Sequence, residues 1–255
     1  MKIIYHADYN TVYASDPAAR RGRIAAIWKE LKGTYDFLEP QPALEDDLRR
    51  VHTQSHIESI KRDSQLYRIA CLAAGGAIKA AQMAMEGETS FGLIRPPGHH
   101  ASPDCSWGFC FFNNIAIALA KLGAENLIER ALILDFDLHF GDGTNNIFAG
   151  SKIKYFQPEN QGREGFINEI KERLETGKDY QILAVSAGFD RHLEDWGRQL
   201  STDDYQTIGQ LVKEAATRNC QGRRFAVLEG GYNYRVLGKN VKAFLEGFDL
   251  KEILF

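Results

Sequence analysis

Residues 131–143 read ALILDFDLHFGDG and join a short apolar run to a glycine-rich segment that carries three aspartates and a histidine. The apolar run has the length and composition of one buried strand of a parallel sheet. Similar runs predict strands at 2–5, 90–94, 154–156, 181–186 and 225–229. Segments of helical periodicity alternate with them, at 20–31, 66–85, 113–122, 166–175, 202–218 and 234–246. This alternation predicts an α/β fold, with a central, mostly parallel sheet flanked by helices on both faces.

Composition favours a single globular domain. The chain has 255 residues, of which 44% are hydrophobic and 25% are charged, as in an ordinary globular protein. No repeat, low-complexity tract or linker divides it, so we predict one domain over residues 1–255. Gly75 and Gly76 lie within the predicted 66–85 helix and predict close packing of that helix against another element.

The charge balance argues against nucleic-acid and membrane partners. With 31 Lys+Arg against 34 Asp+Glu, the formal net charge is −3, so no global basic field attracts anionic partners. The chain begins without a basic flank and apolar run, and no stretch approaches the ~20 apolar residues of a membrane span. We therefore predict a cytoplasmic location.

Four cysteines are too few, and too irregularly spaced, for a disulfide framework. Cys105 and Cys110 flank an aromatic-rich turn. Reduced thiols are the favoured interpretation, and metal ligation is the alternative.

Four predicted strands end in glycine-rich segments that carry ionisable or hydroxyl groups. The segments are RPPGHHASPDCSWGF at 95–109, DFDLHFGDG at 135–143, SAGFD at 186–190 and EGGYNY at 229–234. Because the carboxyl ends of parallel strands meet at one edge of a sheet, we expect the four segments to converge on a ligand crevice.

The DxDxH spacing predicts a metal site. Asp135, Asp137 and His139 occupy alternate positions, which on an extended backbone would direct them to one side. Asp137 and His139 offer an oxygen and a nitrogen ligand, and Asp190 offers a third. A catalytic metal site with three protein ligands keeps one coordination position open for water.

The remaining polar groups suit amide hydrolysis. The imidazoles of His99 and His100 can take a proton from water and return it to a leaving amine. Asp135 and Asp142 can each orient one imidazole, and the phenol of Tyr232 can donate to an oxyanion. Each feature alone has an ordinary structural explanation, but their occurrence at four strand ends favours a hydrolytic site.

PPGHHA, DFDLHFGDG, SAGFD and LEGGY, in this order, resemble the motifs of the histone deacetylase and acetylpolyamine amidohydrolase family, which has the arginase/deacetylase fold. The resemblance covers nearly the whole chain. It implies that a metal-bound water removes an acetyl or related acyl group from acetyl-lysine, an acetylpolyamine or an acetylated small metabolite. It implies zinc, with iron(II) or cobalt tolerated by the oxygen-rich ligands, and a structural monovalent cation such as K⁺ nearby.

The resemblance also implies residue roles. The implied metal ligands are Asp137, His139 and Asp190. The implied catalytic residues are His99, His100, Tyr232, Asp135 and Asp142. The implied substrate-binding residues are Gly108, Phe109, Gly230 and Gly231. Arg23 is the counterpart of an arginine in the internal cavity beneath the metal.

Two departures from the family pattern concern the surroundings of the site. Phe140 stands where many members have a second histidine, next to the expected monovalent-cation site. The stretch 147–163 is short and lacks the Gly/Phe-rich loop that forms one channel wall. The entrance is therefore expected to be wider, or to be completed by another subunit of a homo-oligomer.

Alternatives stay open at this point. A two-metal ureohydrolase would want a carboxylate two residues after His139, where the chain has Gly141. A catalytically inactive metal- or ligand-binding member would have no use for the histidine pair and Tyr232. The expected substrate is a small acetylated amine or an exposed acetyl-lysine. Glu194 and Asp195 are either acidic groups that attract a polyamine or solvated loop charges.

Overall fold

The strands of the computed structural model, which describes residues 1–249, form one sheet of seven parallel strands. They are β1 (Lys2–Ile4), β2 (Asp36–Leu38), β3 (Ser90–Gly92), β4 (Ala131–Asp135), β5 (Ile153–Phe156), β6 (Leu183–Ala187) and β7 (Arg224–Leu228). Their order across the sheet is β2-β1-β3-β7-β6-β4-β5. The predicted α/β architecture is confirmed.

Helices cover the sheet in two packed groups. They are α1 (Arg23–Leu31), α2 (Glu45–Arg49), α3 (Gln54–Lys61), α4 (Ser64–Met85), α5 (Asn114–Ala124), α6 (Asp142–Ile147), α7 (Arg163–Thr176), α8 (Thr202–Cys220) and α9 (Tyr234–Asp249). One group contains α2 to α6 and the other contains α1, α7, α8 and α9. Both groups contact β6 and β7, and every residue of these two strands is buried. No helix within residues 1–249 has the length and apolarity needed to cross a membrane.

The sequence predictions miss one strand and three α-helices of the described residues. The strand β2, with three half-buried or exposed residues at the sheet edge, was not predicted, nor were α2, α3 and α6. The other elements are present, with ends shifted by up to three residues. The helix predicted from residue 20 begins at Arg23 because Gly22 adopts φ +92° and caps it.

The predicted close approach of α4 is confirmed. A Cβ atom on Gly75 would lie 1.9 Å from the carbonyl oxygen of Gln41, and one on Gly76 would lie 2.6 Å from Cγ2 of Ile94. Any larger residue at either position would push α4 away from the chain beside it.

Strand order explains why the four motif segments meet. The motifs follow β3, β4, β6 and β7, and these strands are neighbours in the sheet in the order β3-β7-β6-β4. Because all four run parallel, their carboxyl ends lie side by side. The topology therefore places the motifs in a row along one edge.

Candidate active site

A cavity of about 120 Å³ opens at the carboxyl ends of these four strands. Its lining comes from the segments after β3, β4 and β7 and from the loop that follows Asp190. The lining residues are Pro97, His99, His100, Trp107, Gly108, Phe109, His139, Trp196, Gly230 and Tyr232. The predicted convergence of the motifs is confirmed.

Three predicted metal ligands lie together beside this cavity. One ligand atom each of Asp137, His139 and Asp190 lies within 4.8 Å of the other two. Nδ1 of His139 is 3.2 Å from Oδ1 of Asp137 and 3.1 Å from Oδ2 of Asp190. Both carboxylates are buried, and within residues 1–249 neither has a lysine or arginine within 4.0 Å. Two buried carboxylates of this kind need a further positive charge to be stable.

The surroundings of these ligands fit a divalent ion. Oδ2 of Asp190 is buried and has no hydrogen-bond partner within residues 1–249. Burial and the charge of Asp137 raise the pKa of Asp190 to about 6, which a bound cation would reverse. A Cβ on Gly230 would lie 2.7 Å from Oδ2 of Asp190, and one on Gly188 would lie 2.1 Å from Oδ2 of Asp137. The glycines thus keep open a space bordered by two oxygen ligands and one nitrogen ligand.

The backbone that carries Asp137 and His139 curls, so the predicted extended geometry is wrong. Strand β4 ends at Asp135, whose Oδ1 accepts the Asp137 amide at 3.0 Å. Oδ1 of Asp137 then accepts the His139 amide at 2.9 Å. Aspartate side chains favour such local bonds to the amide two residues on. As a result Asp135 points towards His99, while Asp137 and His139 point towards Asp190.

A buried aromatic contact anchors both ligand loops. Phe136, between the two aspartates, packs edge-to-face on Phe189 with ring centres 5.6 Å apart. Phe189 immediately precedes Asp190. The apolar residues of the two motifs therefore fix the spacing of the polar ones.

His99 is held from two sides. Its Nδ1 lies 3.0 Å from Oδ2 of Asp135, and its backbone amide donates to Oε2 of Glu229 at 3.2 Å. The Gly98 amide donates to the same oxygen at 2.7 Å. Burial disfavours the charged imidazole, but the charges of Asp137 and Asp135 outweigh it and raise the pKa of His99 well above its usual value.

Glu229 is the first residue of the EGGYNY segment, and no function was predicted for it from the sequence. Its carboxyl group is fully buried at the end of β7, and burial raises its pKa to about 7. A glutamate that directly follows a predicted buried strand was the available signal, because a buried carboxyl group requires donors.

His100 pairs with Asp142 and is covered by a tryptophan. Its Nδ1 lies 2.7 Å from Oδ1 of Asp142, and its ring centre lies 3.9 Å from that of Trp107. The indole of Trp107 donates to the other oxygen of Asp142 at 2.8 Å. A Cβ on Gly108 would lie 2.3 Å from Cδ2 of His100, so only glycine lets this loop approach the ring. No role for Trp107 was predicted from the sequence.

Tyr232 lines the same cavity and lies among aromatic rings. It stacks on Trp196 at 4.1 Å between ring centres and meets Phe109 edge-to-face at 5.9 Å. The amides of Tyr232 and Asn233 donate to Oδ2 of Asp195 at 2.7 and 2.8 Å. Asp195 is buried, so it is neither an entrance charge nor a solvated one: it fixes the Tyr232 loop. Trp196 was not identified from the sequence.

Gly231 and Arg23 lie beneath Tyr232. Gly231 does not line the cavity, and its φ of +116° makes the turn that presents the tyrosine. Arg23 is fully buried and donates from Nε to the Gly231 carbonyl at 2.8 Å. Its guanidinium carbon lies 5.4 Å from the centre of the Tyr232 ring.

The cysteines do not form a metal site. Cys105 is exposed and Cys110 is buried, and both are free thiols. Ligand atoms of Cys110, His99 and Glu229 do come within 4.8 Å of one another. The Glu229 carboxyl group, however, is already occupied by two backbone amides, and Sγ of Cys110 accepts the His100 amide at 3.5 Å.

The short connection after β5 leaves a groove of about 650 Å³ beside the site. Residues 157–162 lead directly from β5 to α7. The groove is lined in part by Phe140, whose side chain is half exposed, and by Tyr155, Gln157 and Glu159.

Comparisons with known proteins show which family the chain resembles. The model of the histone deacetylase domain matches residues 18–157 and 150–248. A probable deacetylase of Archaeoglobus fulgidus is 32% identical, over 98% of this chain and 88% of the relative. A histone deacetylase-like amidohydrolase of Pseudomonas aeruginosa is 32% identical, over 75% of this chain and 65% of the relative. The crystal structure of the HDA15 HD domain matches with a TM-score of 0.83 over 96% of this chain and 88% of that one, at 22% identity, which supports the fold alone.

Proposed function

Because this chain belongs to the histone deacetylase family, we propose that it is a zinc-dependent deacetylase that hydrolyses the acetamide of an acetylated amine. One observation carries the proposal: the Asp137/His139/Asp190 cluster, two aspartate-paired histidines and a tyrosine border one small cavity. Iron(II) or cobalt would suit the same oxygen-rich ligands.

Asp137, His139 and Asp190 would hold the ion. When bound, a divalent ion supplies Lewis acidity that polarises the amide carbonyl and makes water a better nucleophile at neutral pH. The protein contributes a buried site in which Gly188 and Gly230 keep side chains out of the space beside the ligand carboxylates.

The two histidines are suited to different proton tasks. Each commits Nδ1 to an aspartate, which leaves Nε2 as the nitrogen that can exchange a proton. Burial, together with His99, lowers the pKa of His100, so His100 is neutral at pH 7 and can accept a proton from water. His99 lies between the carboxylates of Asp135 and Asp137, where a positive charge is favoured. Such divergent environments are typical of acid–base pairs.

Tyr232 serves as a hydrogen-bond donor to the oxygen that becomes negative. Burial raises its pKa well above 10, so the phenol keeps its proton at physiological pH. The stack on Trp196 and the backbone contact to Asp195 hold the ring in place before substrate arrives. A preorganised donor of this kind stabilises a tetrahedral intermediate more effectively than water does.

The small cavity suits the acyl end of a substrate rather than a bulky ligand. Gly108, Phe109, Gly230 and the two tryptophans line it, and Trp107 and Trp196 are each about half exposed at its rim. We therefore propose small acetylated amines or exposed acetyl-lysines as substrates, and no nucleic-acid partner.

The test is acetate release from N-acetylputrescine, N-acetylspermidine and an acetyl-lysine peptide, with zinc-loaded and metal-stripped protein. Turnover should require zinc. Tyr232→Phe should lower kcat by roughly 100- to 1,000-fold, the effect of losing one oxyanion donor. Tyr180→Phe removes the hydroxyl of a tyrosine that bonds to Asn219 instead, and should leave kcat unchanged. Equal turnover with and without metal would contradict the proposal.

A further inference from the structure

Arg191 is a buried cation without an anionic partner. It directly follows the ligand Asp190, is 3% exposed, and forms no salt bridge within residues 1–249. Its Nε donates to the Asp137 carbonyl at 3.0 Å and its Nη2 lies 3.4 Å from the Leu138 carbonyl. Gln199 accepts from Nη1 at 2.7 Å, and the ring of Phe166 lies 4.4 Å from the guanidinium carbon. A buried guanidinium is costly unless it is fully hydrogen-bonded. Arg191 bonds to the turn at residues 137–139, which carries two of the metal ligands.

Gln157 bonds to the same turn from the other side. Its Nε2 donates to the carbonyls of Asp137 at 2.8 Å and His139 at 2.9 Å. The residue follows β5, the edge strand, and is buried. One amide group therefore bridges the backbones of two metal-ligand residues.

The orientation of the Gln157 amide follows from its neighbours. Its Oε1 lies 2.6 Å from the Tyr155 hydroxyl and accepts the Gly141 amide at 3.1 Å. In a flipped amide, Oε1 would face the carbonyl oxygens of Asp137 and His139, and neither oxygen can donate a hydrogen bond. The NH₂ group must therefore face the turn.

These donors occupy the oxygens that a monovalent cation would need. In the selectivity filters of channels, backbone carbonyl oxygens replace the hydration shell of K⁺, so a K⁺ site at this turn would use carbonyl oxygens with room for the ion between them. Beside the metal ligands, the carbonyls of Asp137, Leu138 and His139 already accept hydrogen bonds from Gln157 and Arg191. The positive guanidinium group of Arg191 would also repel a monovalent cation bound at these carbonyls. The expected K⁺ site therefore does not fit the residues of this turn.

We propose that Arg191 and Gln157 are positioning residues that do in this chain what a bound monovalent cation would otherwise do. They fix the curled turn that presents Asp137 and His139. The inference rests on the proposed metal site. It makes zinc binding and stability independent of K⁺.

The first test uses the wild-type protein. Zinc-loaded protein is exchanged into KCl, NaCl or tetramethylammonium chloride at equal ionic strength, and its melting temperature, zinc content and acetate release are measured. The melting temperature and the zinc content should be the same in the three salts, and the rates of acetate release should agree within about twofold. A loss of zinc, a lower melting temperature or a rate more than about tenfold lower without K⁺ would overturn the inference. Failure to bind zinc in any salt would contradict the proposed function instead.

The second test removes the bridging donor. Gln157→Glu is nearly isosteric but places an acceptor against the two carbonyls, so zinc affinity should fall by roughly 10- to 100-fold, as for other groups that orient metal ligands. Gln181→Glu makes the same change where the side chain only accepts backbone bonds, and should bind zinc as the wild type does. Circular dichroism shows whether each variant is folded. A folded Gln157→Glu protein with wild-type zinc affinity would refute the role of Gln157.

Discussion

At the scale of single residues, Trp107 joins two parts of the site. Its ring covers His100 and its indole N–H holds the second oxygen of Asp142. A sequence motif can identify a histidine and an aspartate that form a pair. It does not identify the exposed tryptophan that restrains both, because no spacing rule links residue 107 to residue 142.

Substitutions of Trp107 separate the two contacts. Trp107→Phe keeps an aromatic ring over His100 but loses the donor to Asp142, and should lower kcat roughly 3- to 10-fold, less than a fully buried bond would because the residue is half exposed. Trp107→Leu should lower kcat further. Trp28→Phe, at a partly exposed tryptophan on α1, is the control. Steady-state acetate release checks these effects, and a Trp107→Leu protein as active as the wild type would contradict this role.

The pH profile tests the assignment of His100. Burial and His99 lower its pKa below 6.5, while Asp142 raises it. If neutral His100 accepts the proton, kcat/KM should fall as pH decreases through a midpoint below 6.5. Asp142→Asn removes the carboxylate that raises the pKa of His100. The midpoint should therefore move to still lower pH, and kcat should be smaller.

The profile is measured with zinc content checked at every pH, so that metal loss is not mistaken for protonation. A midpoint that moves to higher pH in Asp142→Asn would count against the assignment. An unchanged profile in His100→Ala would do so more strongly.

At the scale of elements, the glycines that follow strands keep the metal site open. Gly188→Ala would place Cβ 2.1 Å from Oδ2 of Asp137, so β6 or the ligand would have to move. We expect zinc affinity to fall by roughly 10- to 100-fold, measured by competition with a chelator. Gly123→Ala on α5 is the matched control, because its nearest neighbour lies 3.9 Å away. Wild-type zinc affinity in Gly188→Ala would show that the metal site does not require glycine at position 188.

His52, between α2 and α3, braces the loop that carries the histidine pair. Its Nδ1 donates to the Ser102 carbonyl at 2.9 Å and its Nε2 accepts the Asn113 amide at 2.9 Å. Protonation would set an N–H against the Asn113 N–H. Burial, with a smaller contribution from His56, lowers the pKa of His52 to about 4.

This depressed pKa predicts how stability depends on pH. The unfolded state binds the proton below about pH 6.5, whereas the folded state binds it only near pH 4, so stability is lost as pH falls between these values. The His52 contribution to the free energy of unfolding should be roughly 2 kcal/mol smaller at pH 5 than at pH 7.5. Urea unfolding of chelator-treated protein measures it. His52→Gln should show a correspondingly weaker pH dependence, and identical pH dependence in the two proteins would refute the prediction.

Elements with a clear apolar run or a visible helical period were predictable from the sequence, and elements without either were not. Strands β4, β6 and β7 are apolar runs buried on both faces, and α4 and α8 have enough turns for their periodicity to be visible. The strand β2 has three residues and α2 has five, too few to show a period. The curl after β4 was missed because side-chain bonds from Asp135 and Asp137 override the extended pattern.

At the scale of the whole molecule, the strand order assembles the site. Motif residues as far apart as Gly98 and Glu229, 131 positions along the chain, become neighbours because β3, β7, β6 and β4 are adjacent and parallel. The sequence predicts which residues stand at strand ends, since apolar runs mark the strands. It does not predict the contacts of Glu229, Arg191 or Gln157, because their partners are backbone atoms of other loops.

Some predictions about the whole molecule stay predictions. They are the single domain over residues 1–255, of which 250–255 lie outside the described residues, the cytoplasmic location and the homo-oligomer. The mass of the protein in solution tests the homo-oligomer.

The most direct test of the central claim is a titration of zinc into metal-stripped protein, with acetate release from N-acetylputrescine and an acetyl-lysine peptide recorded at each step. The Asp137/His139/Asp190 site predicts that the rate rises in proportion to zinc and levels off at one ion per chain. A rate that levels off only at two ions per chain, or no acetate at any zinc concentration, would contradict a single-metal deacetylase.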